Sequence, residues 1–264
     1  GIEALGFGFT EIGSITAQSS PGNPKPRAFR LPEDESLINR MGLNNDGAEA
    51  ICRRIQAVNR NIPVGINIAK THDPAILGDK AIEDYLFSVE QALPVADYVT
   101  INVSCPNTEE GKTFEDPAAL SELIAAIKPT ERDRPVLVKF SVDLEKHQLA
   151  ELVEICEDFE VNGYVVCNTS SGRKGLKSPE HRLKEIGRGG LSGAAIDEKS
   201  TQIIKWLRKD IHTEKPIIGV GGVRSAETAK EKLDAGADLL QIYTGLVYEG
   251  PGLAKLIKQG LSAG

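Results

Sequence analysis

The chain has 264 residues and a formal net charge of −7, with 40% hydrophobic and 26% charged residues, a balance that supports a globular protein with a sizeable core. The acidic balance and scattered basic side chains exclude a general nucleic-acid surface, and the four cysteines and four histidines are too dispersed for a disulfide framework or a zinc site, so no metal is expected. No apolar run approaches the ~18 residues needed to cross a bilayer and no signal-peptide pattern is present, which points to the cytoplasm.

Residues 1–8 carry no initiator Met and read as the middle of a fold, so an N-terminal truncation is expected. Short β-branched runs then recur at residues 9–14, 63–69, 98–104, 135–141, 163–169, 216–222 and 239–245. Between them lie apolar residues at three- and four-residue spacing, as in Ile82, Tyr85, Leu86 and Val89, in Leu149, Leu152, Val153 and Cys156, and in Ile203, Ile204 and Leu207. This alternation predicts helices packed around a parallel sheet. No composition break divides residues 1–264, so one domain is expected. Every strand ends in a polar or glycine-rich cluster, which places function at the C-terminal strand ends, as in a (β/α)8 barrel. Seven strands are visible, and the missing first one would precede Gly1.

The last two strand ends, Gly219-Val220-Gly221-Gly222 and Tyr243-Thr244-Gly245, fit the phosphate site of such barrels, with Gly193 and the helix beginning near Ser225 adding N–H groups. Asn67, Asn102 and Asn168 each lie inside an apolar strand, where an unpaired amide costs about 1–3 kcal/mol. One such Asn is usually satisfied by backbone, whereas three on different strands of one barrel point to a planar ligand rich in N–H and C=O groups. Lys139 ends an apolar strand and needs an anion or electron-rich acceptor, unless it extends to solvent. Cys105, just past a strand end between Asn102 and Asn107, is a candidate base or nucleophile. Residues 170–186, rich in Gly, Lys and Arg, read as a lid over the site or as a surface loop.

Six segments then resemble one family in order along the chain: Gly22-Asn23-Pro24-Lys25-Pro26-Arg27, Phe29-Arg30-Leu31-Pro32-Glu33, Asn39-Arg40-Met41-Gly42-Leu43-Asn44-Asn45, residues 102–108, residues 189–193 and residues 217–222. The family is dihydroorotate dehydrogenase. The resemblance implies FMN-dependent oxidation of (S)-dihydroorotate to orotate in pyrimidine biosynthesis. It implies FMN contacts from Ser14, Asn67, Asn102, Lys139, Cys167, Gly193, Gly222, Tyr243 and Thr244. Substrate contacts are implied for Asn39, Arg40, Met41, Gly42, Leu43, Asn102, Asn107, Asn168 and Thr169, with Cys105 as catalytic base. The Asn-Arg-Met-Gly form resembles the class 2, quinone-reducing branch, whose N-terminal helices would bring the protein to the cytoplasmic face of the inner membrane. Class 2 members place serine at the position of Cys105, and a cysteine base is the habit of the soluble class 1 branch, which uses fumarate or NAD. A dihydropyrimidine or dihydrouridine reductase is the other flavin-barrel alternative. The oligomeric state is not legible.

Overall fold

The computed structural model describes residues 1–104 and 113–263. Seven strands form one parallel sheet: β1 (Thr10–Ile15), β4 (Val64–Ile68), β5 (Tyr98–Asn102), β6 (Val136–Phe140), β7 (Gly163–Val166), β9 (Ile217–Val220) and β10 (Leu239–Gln241), paired in that order. Neighbouring strands are also successive in this sheet, which is the order of an incomplete (β/α)8 barrel. Among the described residues no ladder joins β10 to β1, yet the side chain of Gln241 on β10 reaches Glu11 on β1 at 3.0 Å. The sheet is therefore curled far enough for its two edge strands to touch across the interior.

The strands found are those expected, but four of them end two to four residues early. The residues cut off are where the chain turns into its loops: Gly221 and Gly222, for example, have φ of 115° and 80°, which a strand cannot use. A second, three-stranded antiparallel sheet was not anticipated: β2 (Ala28–Leu31), β3 (Ser36–Asn39) and β8 (Gly190–Gly193), in the order β2-β3-β8. Each is four residues long, too short for alternation to reveal. Pairing with β3 gives Gly190–Gly193 its extended conformation.

The helical expectations hold. Tyr85 and Val89 on α2 (Asp79–Ala92) are buried, as are Leu149, Leu152, Val153 and Cys156 on α4 (Lys146–Asp158). Ile203 and Ile204 on α6 (Asp197–Lys205) and Leu207 in the π-helical turn that follows it are buried too. These stripes pack on the outer face of the sheet in one continuous cluster running from Ile15 to Ala237. The interior holds a smaller cluster of Leu137, Val165 and Ile218, against which Phe9, Tyr98 and Val220 pack. Gly65 is what lets Tyr98 fit there, since a β-carbon at that position would stand 2.0 Å from the tyrosine Cζ. Helices α1 (Ala48–Gln56), α3 (Pro117–Ile127), α5 (Glu180–Ile186), α7 (Ala226–Ala235), α8 (Gly245–Glu249) and α9 (Leu253–Ala263) complete the described elements. No described helix is long and apolar enough to cross a membrane.

Candidate active site

The C-terminal ends of the strands carry the polar side chains singled out from the sequence, and three groups of them meet. The first surrounds Asn102, the last residue of β5. Its Oδ1 accepts hydrogen bonds from Ser104 Oγ at 2.9 Å and Asn168 Nδ2 at 3.2 Å, and Asn168 Nδ2 also donates to Ser104 Oγ at 2.6 Å. The Tyr85 hydroxyl, reaching in from α2, donates to the Asn102 main-chain carbonyl. Asn102 is thus held from both ends and stays 7% exposed. The next residue after Asn168, Thr169, lies against Gly190, where a β-carbon would stand 2.1 Å from its Oγ1. Gly190 in turn pairs with Asn39 on β3. The small sheet therefore carries the Asn39 segment to the mouth of the barrel beside Asn168 and Thr169.

The second group lies deeper. Register places Lys139 on β6 beside Asn102, and the Lys139 ammonium faces the Glu11 carboxylate at 3.7 Å. Asn67 on β4 donates from Nδ2 to Glu11 Oε1 at 3.1 Å and accepts from the Ser14 hydroxyl at Oδ1. Ser14, Asn67 and Lys139 are thereby brought together, as the sequence led one to expect, around a carboxylate that it did not single out. The signal was present in part, because Glu11 is a charged side chain within a strand, as Lys139 is.

The third group is a hollow lined by Gly193, Gly222, Arg224 and Gly245 among others. Gly193 and Gly222 have φ of 103° and 80°. A β-carbon on Gly193 would meet the Glu35 carbonyl at 2.6 Å, and one on Gly222 would meet Asp197 at 2.4 Å, so both positions require glycine. Thr244 Oγ1 donates to Ser192 Oγ at 2.8 Å and ties the end of β10 to this hollow. Ser225 caps α7, accepting from the Thr228 N–H, so the helix points its positive end toward these glycines. Behind them Asp197 is held by Lys232 at 2.8 Å and by Arg224 at 2.9 Å. Arg224 also reaches Glu35 at 3.2 Å.

The remaining expected contacts are placed less directly. Cys105 and Asn107 lie outside the described residues. The chain is anchored just after them: Phe114 is buried edge-on against Tyr85 at 5.2 Å, and Glu115 accepts from the Ser141 N–H. Burial, countered in part by that hydrogen bond, pushes the Glu115 carboxyl up to about 7. Cys167 is buried and its thiol is pushed up to about 12 by desolvation, so it stays protonated. Tyr243 is 72% exposed. The Arg40 guanidinium stacks on Phe29 and donates to the Ile186 and Arg188 carbonyls. The Met41, Gly42 and Leu43 carbonyls accept from Asn23 N–H, Ser20 Oγ and Asn45 Nδ2 respectively.

The segment at 170–186 is strapped at its start and its middle. Asp143, after β6, accepts from Ser170 Oγ, Ser171 N–H and Ser171 Oγ at 2.6–2.8 Å. Asp34 accepts from the Lys177 and Ser178 N–H groups. A surface hollow lined by residues 211–215 with Val153 and Glu157 sits at the opposite, N-terminal end of the strands.

A curled parallel sheet whose C-terminal ends gather amides, a lysine and a glycine cradle defines a (β/α)-barrel enzyme. The family model described as dihydroorotate dehydrogenase matches residues 1–264. A protein of Christiangramia forsetii named dihydroorotate dehydrogenase (quinone) is 42% identical over 262 residues, which are 98% of this chain and 75% of that protein. One of the same name from Natronomonas pharaonis is 42% identical over 260 residues, 98% of this chain and 72% of that one. The crystal structure of an Eimeria tenella DHODH in complex with ferulenol superposes with a TM-score of 0.88 at 28% identity, covering 98% of this chain and 75% of that one. The chain belongs to the dihydroorotate dehydrogenase family, oxidoreductases acting on a CH–CH bond.

Proposed function

We propose that this protein oxidises (S)-dihydroorotate to orotate, with FMN as the bound hydride acceptor and a quinone as the final electron acceptor. The observation that carries the reading is the convergence of Ser14, Asn67, Lys139, Asn102 and Asn168 on one strand-end face beside the Gly193 and Gly222 cradle. That donor set fits a flavin: amides and a cation for a ring rich in N–H and C=O groups, and close-packed glycines with a helix N-terminus for its phosphate. Thr244, Tyr243 and Cys167 belong to the same binding set, at the rim and floor.

FMN supplies the hydride-accepting chemistry. The protein's part is position and charge. Asn102 and Asn168, locked to each other through Ser104, present their remaining amide atoms to the substrate ring, with Asn39, Arg40, Met41, Gly42, Leu43, Asn107 and Thr169 completing the set. Cys105 takes the proton from C5 of dihydroorotate, and Lys139 stabilises negative charge that develops on the ring system. Residues 170–186, pinned by Asp34 and Asp143, close the site against water.

The test is spectroscopic and kinetic. Purified protein is expected to carry a flavin absorbance band that dihydroorotate bleaches and a quinone restores faster than fumarate or NAD does. Restoration by fumarate or NAD alone assigns the soluble acceptor class, and NADPH oxidation with uracil or transfer RNA refutes the reading. Cys105→Ala is expected to keep the flavin and lose steady-state turnover.

A further inference from the structure

Glu11 is the second residue of β1 and its side chain is only 8% exposed. A carboxylate there is costly unless its lone pairs are filled. They are filled from four other strands. Asn67 of β4 donates to Oε1 at 3.1 Å, Thr100 of β5 to Oε2 at 2.9 Å and Gln241 of β10 to Oε2 at 3.0 Å, while Lys139 of β6 stands 3.7 Å from Oε1. The Tyr98 hydroxyl lies buried beside Glu11 and Gln241.

Two of these partners, Asn67 and Lys139, belong to the flavin set, and a third member, Ser14, is bonded to Asn67. An ionised carboxylate only accepts, so it dictates which way the Asn67 amide is turned: Nδ2 toward Glu11 and Oδ1 toward Ser14. It also supplies the charge opposite Lys139, whose side chain is 16% exposed and has no other carboxylate partner among the described residues. A structural polar layer would need neither of those contacts to fall on the binding set.

We propose that Glu11 is a positioning residue for the flavin: acting through Asn67 and Lys139, it orients the ring's partners and offsets part of the lysine's charge, and so sets how strongly the reduced form is favoured over the oxidised. The inference rests on the flavin reading above. Added negative charge on the reduced ring is attracted by Lys139 and repelled by Glu11. Neutralising Glu11 therefore favours the reduced form.

The experiment compares the dissociation constants of oxidised and reduced FMN for the wild-type protein and the variants Glu11→Gln and Lys139→Met. Glu11→Gln is expected to raise the preference for reduced FMN by about tenfold, equivalent to about +30 mV in a two-electron potential. Lys139→Met is expected to lower that preference. A Glu11→Gln variant whose affinities for the two forms fall equally has lost only packing, and that result overturns the proposal. Should Glu11→Gln not accumulate as folded protein, the double variant Glu11→Gln/Lys139→Met is compared with Lys139→Met. A preference unchanged between those two likewise overturns it. Failure of the wild-type protein to bind flavin refutes the functional reading itself, a result distinct from flavin bound with an unchanged preference.

Discussion

Replacing Glu115 by glutamine separates the charge of this carboxylate from its hydrogen bond. Its Oε1 accepts the Ser141 N–H, a role the amide oxygen of glutamine retains. Burial and the nearby Asp143 raise its carboxyl from 4.5 to about 7 against the hydrogen bond's lowering effect. Between those two values the folded protein keeps a proton that the unfolded chain has released, so stability falls as pH rises through this window and levels off above pH ~7. At ~1.4 kcal/mol for each tenfold of proton activity the whole gap is worth about 3 kcal/mol. Glu115→Gln is therefore expected to match the wild type near pH 4.5 and to exceed it by up to about 3 kcal/mol at pH 8, measured as the urea midpoint and slope at both pH values. Asp34 lies away from Glu115 and cancels in the difference between the two proteins, and Asp143, held below 3.8, stays ionised across this window in both. A stability difference independent of pH, or one that grows on acidification, would refute the reasoning.

The strand-end scaffold yields further expectations. Gly65→Ala drives a β-carbon into the Tyr98 ring and should cost about 1–3 kcal/mol, with Tyr98→Leu added to it restoring much of the loss in a denaturant titration. Lys232 is fully buried and donates to the Asp197 carboxylate and carbonyl and to Thr201; Lys232→Met should cost about 3–5 kcal/mol, read as a lowered thermal midpoint, and an unchanged midpoint would count against a paired charge there. Burial would raise the Asp143 carboxyl, but bonds from Ser170, Ser171 and Lys199 outweigh it and hold the group below 3.8. Its strap is thus complete above pH ~4 and lost as pH falls through the depressed value, so cleavage within residues 170–186 should rise at low pH, and Asp143→Asn should show that cleavage already at neutral pH.

The alternation of β-branched runs with amphipathic stripes determined the barrel, because strand and helix periods are local properties of sequence. Buried Asn67 and Asn102 and the partly buried Asn168 and Lys139 were legible for a related reason: a polar side chain in an apolar strand must find partners, whichever fold contains it. Who those partners are was not legible. Glu11 lies 56 residues from Asn67 and 230 from Gln241, and only the curl of the sheet brings five strands to one carboxylate. The small sheet of β2, β3 and β8 was invisible because four-residue strands carry too little pattern, and Gly190–Gly193 is extended only through its pairing with β3. Local periodicity therefore settled which residues face inward, while the tertiary structure alone decided which of them meet, since hydrogen bonds between distant strands depend on register and curvature rather than on neighbours in the chain.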